Sequence, residues 1–417
     1  MTDPVASSEK QAEARSETAS AAPSPRPPAF PPPPEKPTQQ GPLGLLYDFN
    51  DGCRLFLPSG SWHVQLTDID TGNILFDTDS DGGYVMSSKK YYVRFGIEVW
   101  KRGETSSLFQ HKYDARGKNV RIQFPVGTLG DMMAWFPYAE VFQEQHQCRL
   151  TCALSETLIE LFREGYPQLD LVGHKKEYET DCYATYNIGL FFDDTECVRQ
   201  PCDFRLVGLH KTSAYILGVD PQARKPRIAI AAGRQIEEPY VCIAVQSTTQ
   251  SKYWNNPNGW LETVRFLKRR GYRVLCIDQK KTHGQGLTWT HLPHGAEDFT
   301  GDHPLAERAA LLKHADFFIG LSSGLSWLAW AAGTPVVMIS GFTHPSNEFH
   351  TPYRVINYHT CNSCWNDQHH RFVHDDFFWC PRHKDTPRHY ECTRLITAEQ
   401  VFAVLRTIPG LRAEAAA

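Results

Sequence analysis

The stretch DFFIGLSSGLSWLAWAAGTPVVMI, residues 316–339, contains one complete unit of an α/β fold. Its apolar run Asp316–Leu321 predicts a buried strand that ends at a cluster of small residues. Gly324–Ala332 then predicts a helix, and Pro335–Ile339 predicts a second buried strand. This order of elements indicates a parallel sheet that is covered by helices.

The same region bears on membrane association, because Phe317–Thr343 carries no charge and is long enough to span a bilayer. It also contains Ser322, Ser323, Ser326, Pro335 and four glycines, so the core of a water-soluble α/β protein explains it better. The amino terminus has no apolar segment typical of a signal peptide. We therefore expect a cytoplasmic protein with reduced cysteines and no membrane span.

The composition excludes several classes of protein. The 417 residues include 43 Lys+Arg and 47 Asp+Glu, which gives a net charge of −4 and argues against nucleic acid as a partner. A hydrophobic content of 41% with 12% aromatic residues excludes a mainly disordered chain. Twelve cysteines are too dilute for a disulfide scaffold, and the length predicts two or three domains.

Alternating strand and helix patterns predict two doubly wound α/β domains that face each other across a cleft. The first series is predicted over residues 116–235, with a linker at 224–235, and the second over residues 236–417. Short β-rich runs over residues 42–115 predict a small all-β domain. The Pro-rich residues 1–41 predict a tail that is disordered or in the polyproline II conformation.

A glycine-containing loop, Gly127-Thr128-Leu129-Gly130-Asp131, follows the predicted strand Val120–Phe124. Its two glycines allow a tight turn into a helix predicted from Asp131 to about Gln145. Ligands of such sheets bind beyond the carboxyl ends of the strands, so Asp131 would lie at the cleft with a carboxylate that can accept a proton. A helix cap is the equally supported alternative.

Two loops of the second series carry groups that suit a diphosphate. Ser247–Lys252 supplies hydroxyl donors and one lysine. Gly320–Ser326 supplies small residues that let a ligand approach the free N–H groups at the start of a helix. The alternatives are an ordinary polar loop for the first and close packing between strand and helix for the second.

These motifs together resemble the ADP-heptose:heptosyltransferases, and the resemblance covers roughly residues 119–339. It is carried by Gly127–Asp131, Ser247–Lys252 with Trp254 and Trp260, and Ser322–Ala329 with Gly333-Thr334-Pro335. It implies the two-domain glycosyltransferase B fold. The β-rich amino-terminal part and the four-cysteine segment described below extend the resemblance to the bacterial autotransporter heptosyltransferases, which modify serine hydroxyls of autotransporter passengers.

The resemblance implies a role for each matching position. Asp131 would be the general base, and Lys252 would bind the diphosphate of the donor. The other implied donor-binding positions are Thr248, Thr249, Asp278, Ser322, Ser323, Gly324 and Leu325, among which Asp278 would contact the ribose. The implied reaction is an inverting displacement, in which a serine hydroxyl takes heptose from ADP-heptose without a divalent metal ion at the diphosphate.

Two positions depart from the pattern of the lipopolysaccharide heptosyltransferases. Those enzymes commonly have Asp where this chain has Ser322, and His where it has Trp327. The differences argue against a lipopolysaccharide acceptor.

Four cysteines near the carboxyl end have the spacing C-x2-C-x15-C-x11-C: Cys361, Cys364, Cys380 and Cys392. In a reducing compartment, four thiolates at such spacing indicate a tetrahedral metal site in residues 361–392, and the alternative is a loop with reduced cysteines that bind no metal. Residue chemistry alone places Zn(II) first and a rubredoxin-like iron second. The resemblance to the autotransporter heptosyltransferases implies iron. With no open coordination position, the metal would be structural.

The sequence therefore predicts a protein O-heptosyltransferase that uses ADP-heptose and acts on an autotransporter passenger. The resemblance also implies a large homo-oligomer such as a dodecamer. Two alternatives stay open, namely a lipopolysaccharide-type heptosyltransferase and a non-catalytic, metal-bound scaffold on a degenerate glycosyltransferase fold. Asp131→Asn and Lys252→Ala would abolish sugar transfer by an enzyme and leave the role of a scaffold intact.

Overall fold

The computed structural model describes residues 30–177, 179–231 and 233–414. Its strands are β1 Gln39–Gln40, β2 Leu46–Asn50, β3 Arg54–Leu57, β4 Trp62–Asp68, β5 Ile74–Ser80, β6 Gly83–Met86, β7 Phe95–Lys101, β8 Phe109–Lys112, β9 Asn119–Gln123, β10 Arg149–Leu154, β11 Asp170–Gly173, β12 Ala184–Asn187, β13 Tyr240–Ile243, β14 Arg273–Cys276, β15 Thr282–Gln285, β16 Thr288–His291, β17 Glu297–Asp298, β18 Phe318–Leu321, β19 Val336–Ile339 and β20 Arg354–Val355. Its α-helices are α1 Leu129–Trp135, α2 Pro137–His146, α3 Glu156–Phe162, α4 Phe204–Val207, α5 Leu209–Leu217, α6 Gly259–Lys268, α7 Leu305–His314, α8 Gly324–Ala332, α9 Glu391–Arg394 and α10 Ala398–Leu405.

The carboxyl-terminal sheet is parallel and has the order β17-β14-β13-β18-β19-β20. Counted along the chain from β13, this is the order 3-2-1-4-5-6 of a doubly wound sheet. The strand order reverses between β13 and β18, so the loops that follow these two strands open a crevice at the sheet edge. The strand, helix and strand predicted for residues 316–339 are confirmed as β18, α8 and β19.

The amino-terminal sheet has the order β11-β10-β9-β12-β2-β3-β6, with β1 paired to β2. Strands β11 to β2 in this order are parallel, and β3 and β6 add antiparallel neighbours. The β structure expected over residues 42–115 is confirmed, but part of it continues this sheet. The remaining strands form an antiparallel sheet of order β5-β4-β7-β8.

The disorder predicted for residues 1–41 is wrong for residues 30–41, and the rest of that prediction lies outside the described residues. Arg54 Nη1 donates to the carbonyl oxygen of Pro34 at 2.7 Å, and the backbone N–H of Thr38 donates to Asp48 Oδ2 at 3.1 Å. Proline lacks an N–H donor but keeps its carbonyl acceptor, so a Pro-rich segment can dock through its carbonyl groups.

The single helix predicted from Asp131 to about Gln145 is in fact two helices, α1 and α2. Phe136 separates them, and Pro137 is the first residue of α2. Proline has no N–H to continue the hydrogen bonds of a preceding helix but is well suited to a first helical position. The break makes α1 a short, separate segment whose first turn carries Asp131.

No helix within the described ranges is both long enough and apolar enough to cross a membrane. The uncharged residues 317–343, which are long enough to span a bilayer, instead include β18, α8 and β19, and both of these strands are buried.

Candidate active site

A cleft of about 490 Å³ lies between the two α/β domains, at the carboxyl ends of β9, β13, β14 and β18. Thr128, Leu129 and Thr157 line it from the first domain. From the second domain it is lined by Gln246, Ser247, Thr248, Lys252, Asp278, Gln279, Lys280, His283, Gly301, Asp302, His303, Leu305, Arg308, Ser323, Gly324 and Leu325. The cleft therefore lies where the strand order predicts a ligand site.

Two glycines allow the domains to approach each other at this cleft. A Cβ atom on Gly324 would lie 2.8 Å from Leu129 Cβ and 3.1 Å from the backbone nitrogen of Gly130. A Cβ atom on Gly130 would in turn lie 3.1 Å from Trp327 Cδ1. The first turns of α1 and α8 therefore pack closely because both glycines lack a Cβ atom, which brings the Asp131 region next to the Ser323 loop.

Asp131 lies in the first turn of α1 and is partly buried. Desolvation raises the pKa of its carboxyl group, while hydrogen bonds from Thr128 and the charge of Lys252 oppose that rise. Thr128 is the residue at the N-cap of α1, and Asp131 accepts hydrogen bonds from the backbone and side chain of Thr128, so the helix-cap alternative is also compatible with this structure. Asp131 is thus a carboxylate of raised proton affinity whose charge interacts with a lysine of the other domain.

Lys252 ends the short 3₁₀ turn that follows β13. Desolvation lowers the pKa of its ammonium group, and the nearby charges of Asp131 and Glu348 oppose that effect. Asp131 belongs to the first domain and Glu348 to the second, so both domains contribute to the electrostatic potential at the Lys252 ammonium group.

Three polar groups of the cleft lining are enclosed without a hydrogen-bond partner among the described residues. They are Ser323 Oγ, Gln246 Nε2 and Arg308 Nη1. Buried polar atoms are nearly always paired, and leaving one unpaired costs about 1–3 kcal/mol. All three groups can donate hydrogen bonds, so together they fit a polar ligand rich in acceptor oxygen atoms.

Three of the predicted donor-binding side chains have partners within the protein. Thr249 Oγ1 donates to the carbonyl of Phe377 at 2.9 Å, and Ser322 Oγ donates to the buried Glu348 carboxylate. Neither residue lines the cleft as described. Asp278 does line it, but its carboxylate accepts the backbone N–H groups of Val245 at 2.7 Å and Gln246 at 3.2 Å. These contacts give Thr249, Ser322 and Asp278 supporting positions around the cleft.

Sequence reasoning missed several cleft residues after β14: Gln279, Lys280 and His283. Gln279 and Lys280 directly follow Asp278, so the rule that located the other loops could have found them. His283 lies on the β15–β16 hairpin, which was not predicted. Its ring Nδ1 is hydrogen-bonded to the hydroxyl of Tyr253, which fixes the imidazole beside the cleft.

The four cysteines predicted to bind metal line one small cavity of about 10 Å³. Cys380 and Cys392 are buried and Cys361 and Cys364 are partly buried, and the rest of the wall consists of Ser251, Asn362, Trp379, Pro381, Arg382 and Tyr390. Burial, followed by the proximity of the other three cysteines, raises the pKa of the Cys364 thiol. Four thiols around one space are the ligand type of a tetrahedral metal site, but among the described residues no three of them have sulfur atoms within 4.8 Å of one another, so the sulfurs would have to draw together around an ion.

A second possible ligand group overlaps the cysteine cavity, because Cys361, His383 and Glu391 have ligand atoms within 4.8 Å of one another. Both oxygens of Glu391 are already paired, with Arg388 Nε at 2.7 Å and Arg388 Nη2 at 2.6 Å. The guanidinium first, and then a hydrogen bond from the Cys361 backbone N–H, lowers the pKa of Glu391 to about 2. The carboxylate therefore has a salt-bridge role that competes with metal binding.

Two family descriptions match the chain. Residues 41–103 match the amino-terminal domain of glycosyltransferase TibC. Residues 204–374 match glycosyltransferase family 9, the heptosyltransferases.

Several characterised proteins are similar over most of the chain. The autotransporter heptosyltransferase BAHTCr of Citrobacter rodentium is 57% identical over 89% of this chain and 91% of its own length. BimC of Burkholderia thailandensis, described as an inactive autotransporter heptosyltransferase, is 46% identical over 92% of this chain and 90% of its own length.

The crystal structure of TibC from enterotoxigenic E. coli, described as an iron-containing dodecameric glycosyltransferase, matches with a TM-score of 0.87. It is 54% identical and covers 90% of this chain and 98% of its own. TibC has also been solved in complex with ADP-D-beta-D-heptose.

Proposed function

Because the chain belongs to the autotransporter heptosyltransferases of glycosyltransferase family 9, we propose that it transfers heptose from ADP-heptose to serine hydroxyls of an autotransporter passenger. The observation that carries the proposal is the set of enclosed, unpaired donors of Ser323, Gln246 and Arg308 that line the cleft with Lys252, whose charge interacts with the nearby Asp131 carboxylate. This arrangement combines a proton acceptor with a cluster of groups that bind an anion.

The donor diphosphate is proposed to bind at the second domain. Lys252 supplies a positive charge, and the start of α8 at Gly324 and Leu325 presents backbone N–H groups beside the Ser323 hydroxyl. These groups would stabilise the charge that develops on ADP as the bond to the sugar breaks. Thr248 is exposed at the cleft, so its hydroxyl can join them.

Asp131 is proposed to accept the proton of the attacking serine hydroxyl. Its raised proton affinity favours this role, because a base works best when its pKa approaches the working pH. A single displacement at the anomeric carbon would invert its configuration. The proton goes to the Asp131 carboxylate, and the electron pair of the broken glycosidic bond leaves with ADP.

Cys361, Cys364, Cys380 and Cys392 are proposed to hold one iron ion, with zinc as the alternative. The iron described for TibC supports iron here. The ion would supply a structural crosslink between the separate parts of residues 361–392 and would take no part in the transfer step.

The chain is further proposed to act in the cytoplasm as a homo-oligomer, and the dodecamer described for TibC supports that size. Light scattering of the purified full chain is expected to give a mass near twelve times 47.4 kDa. A monomer would contradict this part of the proposal.

Intact-mass spectrometry tests the transfer reaction directly. The purified protein is mixed with ADP-heptose and an autotransporter passenger fragment, and Asp131→Asn is tested beside it. Passenger mass is expected to rise in whole heptosyl steps with the unaltered protein, and to stay constant with the variant at an unchanged melting temperature. A parallel sample offers heptose-deficient lipopolysaccharide as acceptor, and transfer to it alone would favour the lipopolysaccharide-type alternative.

The scaffold alternative has its own support in the inactive relative BimC. A folded, metal-loaded protein that leaves both acceptors unmodified would favour that alternative.

A further inference from the structure

The Lys252 side chain points its ammonium group at two aromatic rings of the carboxyl-terminal part of the chain. Lys252 Nζ lies 5.2 Å from the centre of the Phe342 ring and 6.0 Å from that of Trp365. Both distances are within the range over which a ring face attracts a cation. An aromatic face attracts the ammonium without accepting its hydrogen bonds, so its three N–H groups stay available to a ligand.

The two rings are held in place by each other and by a backbone contact. The N–H of Trp365 donates to the carbonyl of Phe342 at 3.0 Å, and the ring centres are 5.4 Å apart. Phe342 also packs edge-on against Trp379, with centres 5.9 Å apart. Phe342 and Trp379 are almost completely buried, so the ring that faces Lys252 has little freedom to turn.

The cysteines of the metal cavity flank these same rings. Cys364 directly precedes Trp365, and Cys380 directly follows Trp379. Gly341 precedes Phe342 and lies so close to Cys392 that a Cβ on the glycine would be 3.0 Å from Cys392 Cβ. Cys364 and Cys380 are therefore adjacent in sequence to a residue of this aromatic cluster, and Cys392 packs against the segment that carries Phe342.

The loop that carries Lys252 is attached to the same segment from the other side. The carbonyl of Phe377 accepts hydrogen bonds from Thr249 Oγ1 at 2.9 Å and from the backbone N–H of Gln250 at 3.0 Å. Asn255 Nδ2 donates to Thr393 Oγ1 at 2.9 Å, next to Cys392. The four-cysteine segment thus contacts the lysine loop both before and after Lys252.

We propose that Phe342 and Trp365 are positioning residues for Lys252, and that the four-cysteine segment acts on the cleft by setting the geometry of these two rings. The inference rests on the proposed function insofar as Lys252 binds the donor. Besides crosslinking a long loop, the four-cysteine segment would then orient the Lys252 ammonium group that binds the ligand. The rings would hold the ammonium next to Asp131 and Gly324 before the donor arrives, which reduces the cost of ordering the lysine on binding.

The first test is independent of any donor or acceptor. Lysine side chains of the metal-loaded full chain are methylated with formaldehyde and cyanoborohydride, and the rate at Lys252 is followed by peptide mass spectrometry. Phe342→Leu and Trp365→Leu are each expected to raise that rate several-fold relative to Lys280 of the same cleft. Trp365→Phe keeps a ring and is expected to stay near the unaltered protein.

Phe372→Leu is the matched control for this test. Phe372 packs on both rings, at 5.5 Å from Phe342 and 5.3 Å from Trp365, while the rings that face Lys252 are the other two. A merely structural role of the aromatic cluster predicts equal changes in all three leucine variants. Equal rates of Lys252 methylation across the three, with equal metal content, would overturn the proposal.

The second test is a double-mutant cycle on ADP affinity, measured by calorimetry. Phe342→Leu is expected to weaken ADP binding about five-fold in the unaltered background, which is the size of a cation–π contact. In a Lys252→Ala background it is expected to have no further effect, because its influence passes through the lysine. A five-fold loss in both backgrounds would overturn the positioning role. Failure of the unaltered protein to bind ADP would count against the proposed donor, and the methylation test would still decide the role of the rings.

Discussion

The cleft and the cysteine cavity lie on opposite sides of one loop, Ser247–Lys252, and differ in what their walls leave unsatisfied. The cleft has a volume of about 490 Å³, and its wall contains enclosed donors without partners, such as Ser323 Oγ and Arg308 Nη1. The cavity has a volume of about 10 Å³, and its wall consists largely of sulfur, aromatic and aliphatic groups, with the Tyr390 hydroxyl as its enclosed polar atom without a partner among the described residues. Ser251 lines the cavity, and the next residue, Lys252, lines the cleft.

The difference shows how one segment can serve two kinds of binding. A closed space lined by four cysteines suits an ion that binds once, during folding. An open cleft with unpaired donors suits a ligand that binds and leaves in each catalytic cycle. Neighbouring residues of the same loop line both spaces, and the ion of the cavity is the one that binds during folding. A substitution that removes the ion should therefore disturb the cleft more than a substitution in the cleft disturbs the cavity.

Loss of a cysteine ligand is expected to have the largest effect. Cys380→Ser should remove the bound metal and reduce the yield of soluble, folded protein, since binding of a structural metal can be worth roughly 10 kcal/mol of folding free energy. Cys202→Ser is the control, because Cys202 is half-buried and lies outside the cavity lining. Metal content by elemental analysis and soluble yield are measured together. Normal folding of Cys380→Ser without metal would contradict the structural role of the ion.

Removal of the lysine charge should affect the cleft alone. Lys252→Ala is expected to lower the rate of heptose transfer about a hundredfold, since it deletes one preorganised charge at the leaving group. Metal content and melting temperature should stay close to those of the unaltered protein. Lys313→Ala on α7 controls for the loss of one positive charge. A loss of metal in Lys252→Ala would show that a substitution in the cleft also disturbs the cysteine cavity, which would contradict the expected direction of the effect.

The pH dependence of transfer should reveal the coupling between Lys252 and Asp131. Desolvation raises the pKa of Asp131, and the Lys252 charge opposes that rise, so removing the charge must raise the pKa further. Only the deprotonated carboxylate can accept the proton. The acid limb of the pH–rate profile is therefore expected to move to higher pH in Lys252→Ala. An unmoved limb would show that another group acts as the base.

The positions of the loops could be predicted from sequence because they follow from local patterns. Buried apolar runs located β9 and β18, and the strand-to-helix turns that follow them contain Leu129 and Ser323, which line the cleft, while Asp131 lies in the first turn of α1, outside the cleft lining. Side-chain partners could not be predicted in this way. The hydroxyl of Ser322 is bonded to Glu348, 26 residues away, and that of Thr249 to Phe377, 128 residues away. Such contacts depend on how distant segments pack, and no local periodicity encodes them.

The β15–β16 hairpin was missed for a different reason. Its strands, Thr282–Gln285 and Thr288–His291, are largely polar and exposed, so they lack the alternation of buried and exposed residues by which strands are recognised. The contact between Lys252 and the rings of Phe342 and Trp365 was likewise beyond reach, although all three residues lie in motifs or segments that the sequence had singled out.

Asp278 should give the smallest effect and distinguishes support of the cleft from contact with the donor. Asp278→Asn leaves one oxygen to accept a backbone N–H where the carboxylate accepts those of both Val245 and Gln246. The expected cost is about 1–3 kcal/mol of stability. A role limited to support predicts a lower melting temperature with unchanged ADP affinity, while a direct ribose contact predicts weaker ADP binding as well.

The pH dependence of this loss has a definite sign. Burial raises the pKa of Asp278 from 3.8 to about 6, so the folded protein binds this proton more tightly than the unfolded chain does. The contribution of Asp278 to stability therefore increases as pH falls from about 6 toward 3.8, and Asn cannot take part in this titration. The gap in melting temperature between Asp278→Asn and the unaltered protein should widen between pH 7 and pH 5. The exposed Asp385→Asn is the control and should show no such change, and a constant gap for Asp278→Asn would mean that its carboxyl group is not buried against the β13 loop in solution.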